Sequence, residues 1–211
     1  MGLRATSIGA LVVFAIACRP GNYTYYEETD LILSIQEPGR DFSQFQTYGL
    51  WPEVQDLSDI AEDAIDINHG VVDPVLLDAV QANMDDAGWT QVADPQADNP
   101  DVVAVIGVVA SNNWYFYSYY YWYDYYWWYY PGYYPPYYPG GYVVNYPSGS
   151  VIVMLMRPQE QEPPDADGNV FVPIIWTGVV WGELSDSSSS NLDRMVSGID
   201  QAFVQSPYLD R

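Results

Sequence analysis

The chain has 211 residues, of which 28 are Asp or Glu and 6 are Arg, giving a formal net charge of -22, and 49% of its residues are hydrophobic. This length and apolar content suffice for one hydrophobic core and exclude a disordered polyelectrolyte. Nucleic-acid binding is excluded as well, because phosphates require clustered basic residues, whereas the six arginines are scattered along the sequence.

The N-terminus carries an apolar run that resembles an export signal. Residues 8–17 are uncharged, and about ten apolar residues are too few to span a bilayer core of about 30 Å as a helix. Cys18, the single cysteine, follows Ala15-Ile16-Ala17, which resembles the bacterial lipoprotein box that precedes an acylated cysteine. We therefore expect a signal peptide over residues 1–17 and lipidation of Cys18, including a palmitate-type acyl chain. The alternative is an ordinary secretory signal with an incidental cysteine.

The resemblance to lipoproteins also implies a location. Arg19, rather than Asp, follows the lipidation residue, which favours the periplasmic side of the outer membrane. Residues 18–29 contain Pro and Gly without periodicity, and we expect a tether there.

The first part of the globular region predicts two strands. Residues 31–35 and 47–51 are apolar and are separated by Pro38-Gly39, so we expect the two segments to pair as a hairpin. Residues 53–70 are acidic and poorly patterned, which suits a short helical turn or an exposed loop.

Two helices are predicted. The first begins at Asp73-Pro74, where Asp can cap free amides and Pro needs no donor, and ends at Gly88. The second covers residues 187–205 and precedes Pro207. Both have one apolar face, formed by Leu76, Leu77, Val80 and Met84 in the first and by Leu192, Met195, Val196, Ile199, Ala202 and Phe203 in the second.

The remaining apolar runs predict strands. A short one is expected over residues 89–92, a central strand buried on both faces over 102–110, and two long strands over 151–156 and 174–181, joined by a hairpin loop at 158–170. The predicted fold class is α+β, a two-layer sandwich with a mainly antiparallel or mixed sheet of about five to six strands and two helices on one face.

The order of these segments resembles the bacterial envelope lipoproteins called domain of unknown function 4136. The segments that carry the resemblance are residues 41–51 (DFSQFQTYGLW), 86–89 (DAGW), 101–105 (DVVAV), 149–153 (GSVIV), 175–178 (IWTG) and a C-terminal helix followed by a proline. The resemblance covers roughly residues 30–208 and implies one domain there. This chain departs from the family at residues 154–156 and Thr177, where the family often has an acidic residue and an Arg. The resemblance supplies no catalytic residue.

An aromatic insert over residues 112–147 interrupts the domain. Within it, residues 114–146 hold 16 Tyr, 4 Trp and 1 Phe, with Asp124 as the only charge, while four prolines prevent one long strand or helix. Three interpretations remain open: a loop or hairpin partly folded on its own domain, an interaction surface, or an element of self-association. Tyr and Trp combine an apolar ring with a polar tip, so the insert suits an envelope polymer or a protein partner. The expected anchoring residues are Trp114, Trp122, Trp127 and Trp128.

The sequence predicts no catalytic residue, cofactor or metal site. His69, the single histidine, is expected in a solvated loop, and only it could serve a Ser-His-Asp triad. Residues 165–169 resemble part of a calcium loop but lack its distal ligand, so we expect a turn. Paired carboxylates such as Glu62-Asp63 are expected on the surface of so acidic a chain.

Together these features predict a lipid-anchored, non-enzymatic binding or assembly module of the cell envelope. Its partners would be the membrane, through the lipid anchor, and an envelope polymer or protein, through the aromatic insert. The alternative is a hydrolase of envelope polysaccharide or peptidoglycan that uses paired carboxylates. The oligomeric state stays open.

Overall fold

A computed structural model describes residues 30–57, 63–111, 114–115, 143–144, 148–161, 163 and 172–211. Two helices and nine strands are formed by these residues. In chain order they are β1 (Leu31–Gln36), β2 (Thr47–Leu50), β3 (Gln55–Asp56), α1 (His69–Asp86), β4 (Thr90–Gln91), β5 (Val102–Ser111), β6 (Trp114–Tyr115), β7 (Val143–Val144), β8 (Ser148–Met156), β9 (Ile174–Glu183) and α2 (Ser188–Val204).

Seven of the strands form one mixed sheet in the order β1-β9-β8-β5-β2-β4, with β3 also paired to β5. The pairs β1-β9, β9-β8 and β8-β5 are antiparallel, whereas β2 and β3 run parallel to β5 and β4 runs parallel to β2. The predicted fold class is confirmed, and the sheet is wider than the five to six strands expected because the two-residue β3 is added to it.

Both helices pack on one face of the sheet, as predicted. Leu76, Val80 and Met84 of α1 and Ile199 of α2 are buried in one cluster with alternate residues of β5 and β8. The helix end predicted at Gly88 is confirmed by its positive φ of 86°, which favours glycine.

The other face of the sheet is also buried. Val103, Val105 and Met154 belong to a second cluster, which also includes Trp51, Leu57 and Val172 from the segments that flank the strands. This double burial explains why β5 and β8 read as continuous apolar runs rather than as alternating ones.

The predicted hairpin between the first two strands is wrong. β1 lies at one edge, paired with β9, while β2 lies on the far side of β5. The start of β2 is held beside β5 by Asp101, whose Oδ2 accepts hydrogen bonds from the backbone N–H of Gln46 at 2.8 Å and of Thr47 at 2.9 Å. A parallel pair needs a long crossover, which α1 supplies.

The predicted start of the first helix is also wrong. The helix begins at His69, four residues before Asp73, and Pro74 lies inside it. A proline at this position removes one backbone donor from the helix. The carboxylate of Asp73 binds the side chain of His69 instead of capping the helix.

The acidic segment before this helix contains a strand that the sequence pattern did not predict. In β3, Gln55 pairs with Gly107 and Asp56 with Val108. The flanking Val54 and Leu57 are buried at 6% and 1% exposure, so two isolated apolar residues suffice to hold the strand against the sheet.

Candidate functional site

The predicted site residues lie mostly outside the described part of the chain. Cys18, Trp122, Trp127 and Trp128 are not among the described residues, and neither is the calcium-like turn at 165–169. Trp114 is the first residue of β6, where its backbone pairs with Val144 of β7. The structure therefore describes the two ends of the aromatic insert but not its middle.

The ends of the insert form an antiparallel stem. Ser111, the last residue of β5, pairs with Ser148, the first residue of β8. Beyond this pair, Trp114 pairs with Val144 and Tyr115 with Val143 in a separate two-stranded sheet. The insert thus leaves and re-enters the domain at one point, between two central strands.

The N-terminal end of the described domain lies at the same end of the sheet. Leu31 of β1 pairs with Trp181 of β9, which pairs in turn with Ser150 of β8, two residues from the start of that strand. At about 4.8 Å between strands, the entry of the chain lies about 14 Å across the sheet from the strand that leads into the insert.

A part-buried ion pair holds this entry point. The side chains of Asp30 and Arg194 are 14% and 10% exposed, and Arg194 Nε donates to Asp30 Oδ2 at 2.9 Å while its Nη2 contacts Oδ1. Arg194 Nη1 also donates to the carbonyl of Glu183 at 2.8 Å. The pair crosses Gly182, where a Cβ would lie 2.6 Å from the guanidinium, so a larger residue there would have to displace the pair.

His69 lies near this end of the sheet and joins β3 to α1. Its Nδ1 is 2.8 Å from Asp73 Oδ1 and its Nε2 is 3.1 Å from Asp56 Oδ2. A neutral imidazole has only one N–H, so both contacts are hydrogen bonds only when the ring is protonated. Burial opposes the charge, but the bonds with Asp73 and Asp56 raise the pKa of His69 above its usual value.

The expectation of a solvated loop histidine is therefore wrong. His69 is the first residue of α1, and its ring is held between two carboxylates. The i,i+4 spacing on α1 places Asp73 beside His69, but no local spacing indicated Asp56, which belongs to β3 and approaches the ring from a separate element.

The opposite end of the sheet carries an arginine network. Arg40 binds Glu160 through two hydrogen bonds of 2.8 Å, and Arg157 Nε donates to the same carboxylate at 3.2 Å. Arg157 also lies 4.3 Å from the ring centroid of Phe45. The hydrogen bonds from Arg40 hold the pKa of Glu160 below its usual value.

Asp101 completes this network. Burial raises its pKa, but the N–H groups of Gln46 and Thr47 outweigh this and lower the pKa below the usual value. Its backbone carbonyl accepts a 2.6 Å hydrogen bond from Arg157 Nη1. The network thus ties the start of β2 to the end of β8.

Within the described ranges, no group of three or more His, Cys, Asp or Glu residues is arranged to hold a metal ion. No helix formed by those residues is long and apolar enough to cross a membrane.

Comparison with known proteins identifies relatives of the fold. A sequence model of the family DUF4136, a domain of unknown function, matches residues 21–208. The crystal structure of a DUF4136 family protein from Bacteroides thetaiotaomicron is similar with a TM-score of 0.56 at 24% identity, over 86% of this chain and 98% of that one.

Two further solved structures resemble the chain more distantly. A PelC dodecamer from Paraburkholderia phytofirmans has a TM-score of 0.42 at 13% identity, over 86% of this chain and 99% of that one. A PDZ domain protein from Parabacteroides distasonis has a TM-score of 0.46 at 12% identity, over 85% of this chain and 36% of that one. No curated protein sequence matches the chain.

Proposed function

The chain belongs to the DUF4136 family, and from that premise we propose that it is a lipid-anchored protein of the cell envelope that serves as a non-enzymatic binding or assembly module. The anchor is Cys18, and the protein resides on the periplasmic side of the outer membrane. The contact surface is the aromatic insert, with Trp114, Trp122, Trp127 and Trp128 as its anchoring side chains.

One observation carries this proposal: the chain enters the domain at the same end of the sheet from which the insert leaves it. Asp30 precedes β1 there, and the insert is rooted at Ser111 and Ser148. The tether over residues 18–29 has 12 residues and reaches at most about 40 Å when extended. The lipid anchor therefore keeps the end of the domain in which the insert is rooted within reach of the membrane surface.

The composition of the insert supports a contact role. Residues 114–146 contribute 21 aromatic side chains and a single charge in a chain whose net charge is -22. Tyr and Trp lose little side-chain entropy on binding and bury large apolar areas while satisfying a polar tip. A surface of this kind binds partners that a strongly acidic surface repels.

The register of β6 and β7 permits a clean deletion of the insert. Tyr115 and Val143 are directly paired, so residues 116–142 can be replaced by Asn-Gly, which closes a two-residue hairpin on the existing stem. A second variant exchanges every Trp and Tyr within 116–142 for Ser and keeps the length of the insert, which separates the loss of the rings from the loss of the segment. Circular dichroism and urea unfolding establish that both variants fold.

The test is co-sedimentation of these proteins with isolated peptidoglycan and, separately, with outer-membrane vesicles. We expect the unaltered chain to sediment with one of them and both variants to lose at least tenfold in affinity. Equal binding by all three folded proteins would refute the insert as contact surface. The anchor is tested separately, because Cys18→Ala should abolish labelling by palmitate and release the protein from membranes.

A further inference from the structure

β1 forms one edge of the mixed sheet. It pairs with β9 on one side, and no described strand pairs with its other side. The backbone N–H of Glu37 donates to the carbonyl of Ile175, the next pair along the β1–β9 register, at 2.9 Å. In an antiparallel ladder such bonded positions recur at every second residue, so the odd-numbered residues bond to β9. The backbone N–H and C=O groups of Ile32, Ser34 and Gln36 therefore point toward the open edge.

The side chains of β1 alternate between the two faces of the sheet. Ile32 packs with the core on the helix side, whereas Leu33 pairs with Val179, which packs against the cluster on the other face. Leu31 and Ile35 share the face of Leu33 and are 42% and 49% exposed, while Leu33 is half-buried. Beside the open backbone groups, the strand thus carries an apolar row that is symmetric about Leu33.

This edge lacks the features that usually prevent a strand from pairing further. Natural edge strands are protected by charges, prolines, bulges or short length. β1 has six uncharged residues without a proline, and its register with β9 is regular. The carboxylates that flank it are bound within the same copy, Asp30 by Arg194 and Glu37 by Arg40. The opposite edge strand, β4, has only two residues, so β1 is the edge that suits strand addition.

We propose that β1 pairs antiparallel with β1 of a second copy of this chain, about a two-fold axis at Leu33. In this register Ile32 of one copy and Ser34 of the other exchange two backbone hydrogen bonds, and the symmetry repeats the pair. Leu31 of each copy lies directly opposite Ile35 of the other, and the two Leu33 side chains meet on the axis. Each partly exposed apolar side chain is thereby covered by another.

The neighbouring registers are less favourable. A two-fold axis at Ser34 would set Leu31 against the carboxylate of Glu37, and an axis at Ile32 would leave Ile35 beyond the end of the partner strand. Only the axis at Leu33 covers the exposed apolar residues of both copies without placing a charge against them.

A second strand also satisfies this edge better than a lipid surface does. Lipid chains could cover Leu31 and Ile35, but they would leave the outward N–H and C=O groups without partners. A second copy supplies hydrogen bonds and apolar side chains together, and the symmetric order of β1 requires no other sequence. The formal net charge of -22 on each copy opposes association, and salt screens this repulsion.

The contact is small, and its geometry suits two anchored copies. Residues 31–35 of each copy bury less than the roughly 800 Å² per partner of a standard interface, so we expect a Kd on the order of 0.1–1 mM in solution. The two Leu31 residues lie about 14 Å apart along the strands, at about 3.4 Å per residue. Under the function proposed above, both tethers therefore reach one membrane, where the local concentration is higher. The pairing itself does not depend on that function.

Disulfide trapping tests the pairing. Cys18 is the single cysteine, so each variant carries Cys18→Ala and one introduced thiol. Leu33→Cys should form a disulfide-linked dimer under mild oxidation, because non-bonded antiparallel pairs bring their Cα atoms to about 4.5 Å, within disulfide range. We expect at least fivefold more dimer than from Val71→Cys, which lies exposed on α1.

A mixture of two variants tests the register. Leu31→Cys and Ile35→Cys should each form little dimer alone, whereas the two together should form a mixed dimer, identified by a size tag on one of them. Both positions are exposed, so they test the proposal even where Leu33→Cys does not fold.

A charge placed on the edge tests the effect on affinity. Sedimentation equilibrium of the Cys18→Ala chain is measured at an ionic strength of about 1 M, where the Debye length is about 3 Å. Ile35→Lys should weaken self-association at least tenfold, because it sets an ammonium group against Leu31 of the other copy. Val71→Lys makes the same change in charge away from β1 and should leave the association unchanged.

Three results would overturn the proposal. The first is no more mixed dimer from Leu31→Cys with Ile35→Cys than either forms with Val71→Cys. The second is self-association that Ile35→Lys leaves unchanged. The third is a folded chain that stays monomeric at concentrations on the order of 1 mM.

Discussion

Loss of the Asp30–Arg194 pair should destabilise the domain by more than an ordinary surface ion pair does. With side chains 14% and 10% exposed, the pair is largely removed from water. Asp30→Asn removes the charge of the carboxylate that faces Arg194, and breaking a buried pair in this way costs about 3–5 kcal/mol when burial is complete. For this partly hydrated pair we expect about 2–3 kcal/mol of lost unfolding free energy.

The pair is tested by a double-mutant cycle in urea unfolding. Arg194→Met should also cost about 2–3 kcal/mol, because it leaves the carboxylate of Asp30 and the carbonyl of Glu183 without the guanidinium. The double variant should be less destabilised than the sum of the two single variants by about 1.5–2.5 kcal/mol.

A more exposed pair in the same chain supplies the control. Glu37 is 40% exposed and contacts Arg40, so Glu37→Gln should cost less than about 1 kcal/mol. Two results would refute the claim that a part-buried pair fixes the entry of the chain. Either the single variants at Asp30 and Arg194 cost as little as Glu37→Gln, or their costs add within about 0.5 kcal/mol in the double variant.

Three further predictions concern the domain itself. The raised pKa of His69 means that its stabilising contribution is complete below its unfolded pKa, about 6.5, and is lost as pH rises through the folded pKa. The unfolding free energy of the unaltered chain minus that of His69→Asn should therefore fall by up to about 1 kcal/mol between pH 6 and pH 9, and a flat difference would contradict it. Leu76 is 0% exposed, so Leu76→Ala should lower the unfolding free energy in urea by about 2–5 kcal/mol. Val71 lies on the same helix at 55% exposure, and Val71→Ala should cost at most about 0.5 kcal/mol. Similar costs for the two variants would contradict the assignment of the buried helix face. Gly49→Ala should lower the unfolding free energy by about 1–3 kcal/mol because its Cβ meets the backbone of Pro95. A neutral effect would show that the segment around Pro95 moves aside without cost.

The long apolar elements could be predicted from the sequence because their patterns are unambiguous. The runs that became β5, β8 and β9 are continuous and bounded by polar or turn residues, and α2 begins after Ser187, whose side chain accepts from the N–H of Ser190. These elements determine the fold class, and their order is also what carries the resemblance to the family.

The pairing of the strands could not be predicted in the same way. Leu31–Gln36 and Thr47–Leu50 are close in sequence, which favours a hairpin, but the side chain of Asp101 binds the start of β2 from a distance of 54 residues. Asp56 likewise approaches His69 from a separate element, whereas Asp73 lies four residues along the same helix. No periodicity within a single segment encodes the contact with Asp56.

The central claim, that the aromatic insert contacts the cell envelope, is tested most directly in living cells. A photo-crosslinking amino acid placed at Trp127 in the full chain should attach the protein to an envelope component. The same group at Val71, exposed at 55% on α1, should not yield that product. Crosslinks from position 127 that join it only to residues of its own domain would contradict the account, because the insert would then cover the protein that carries it.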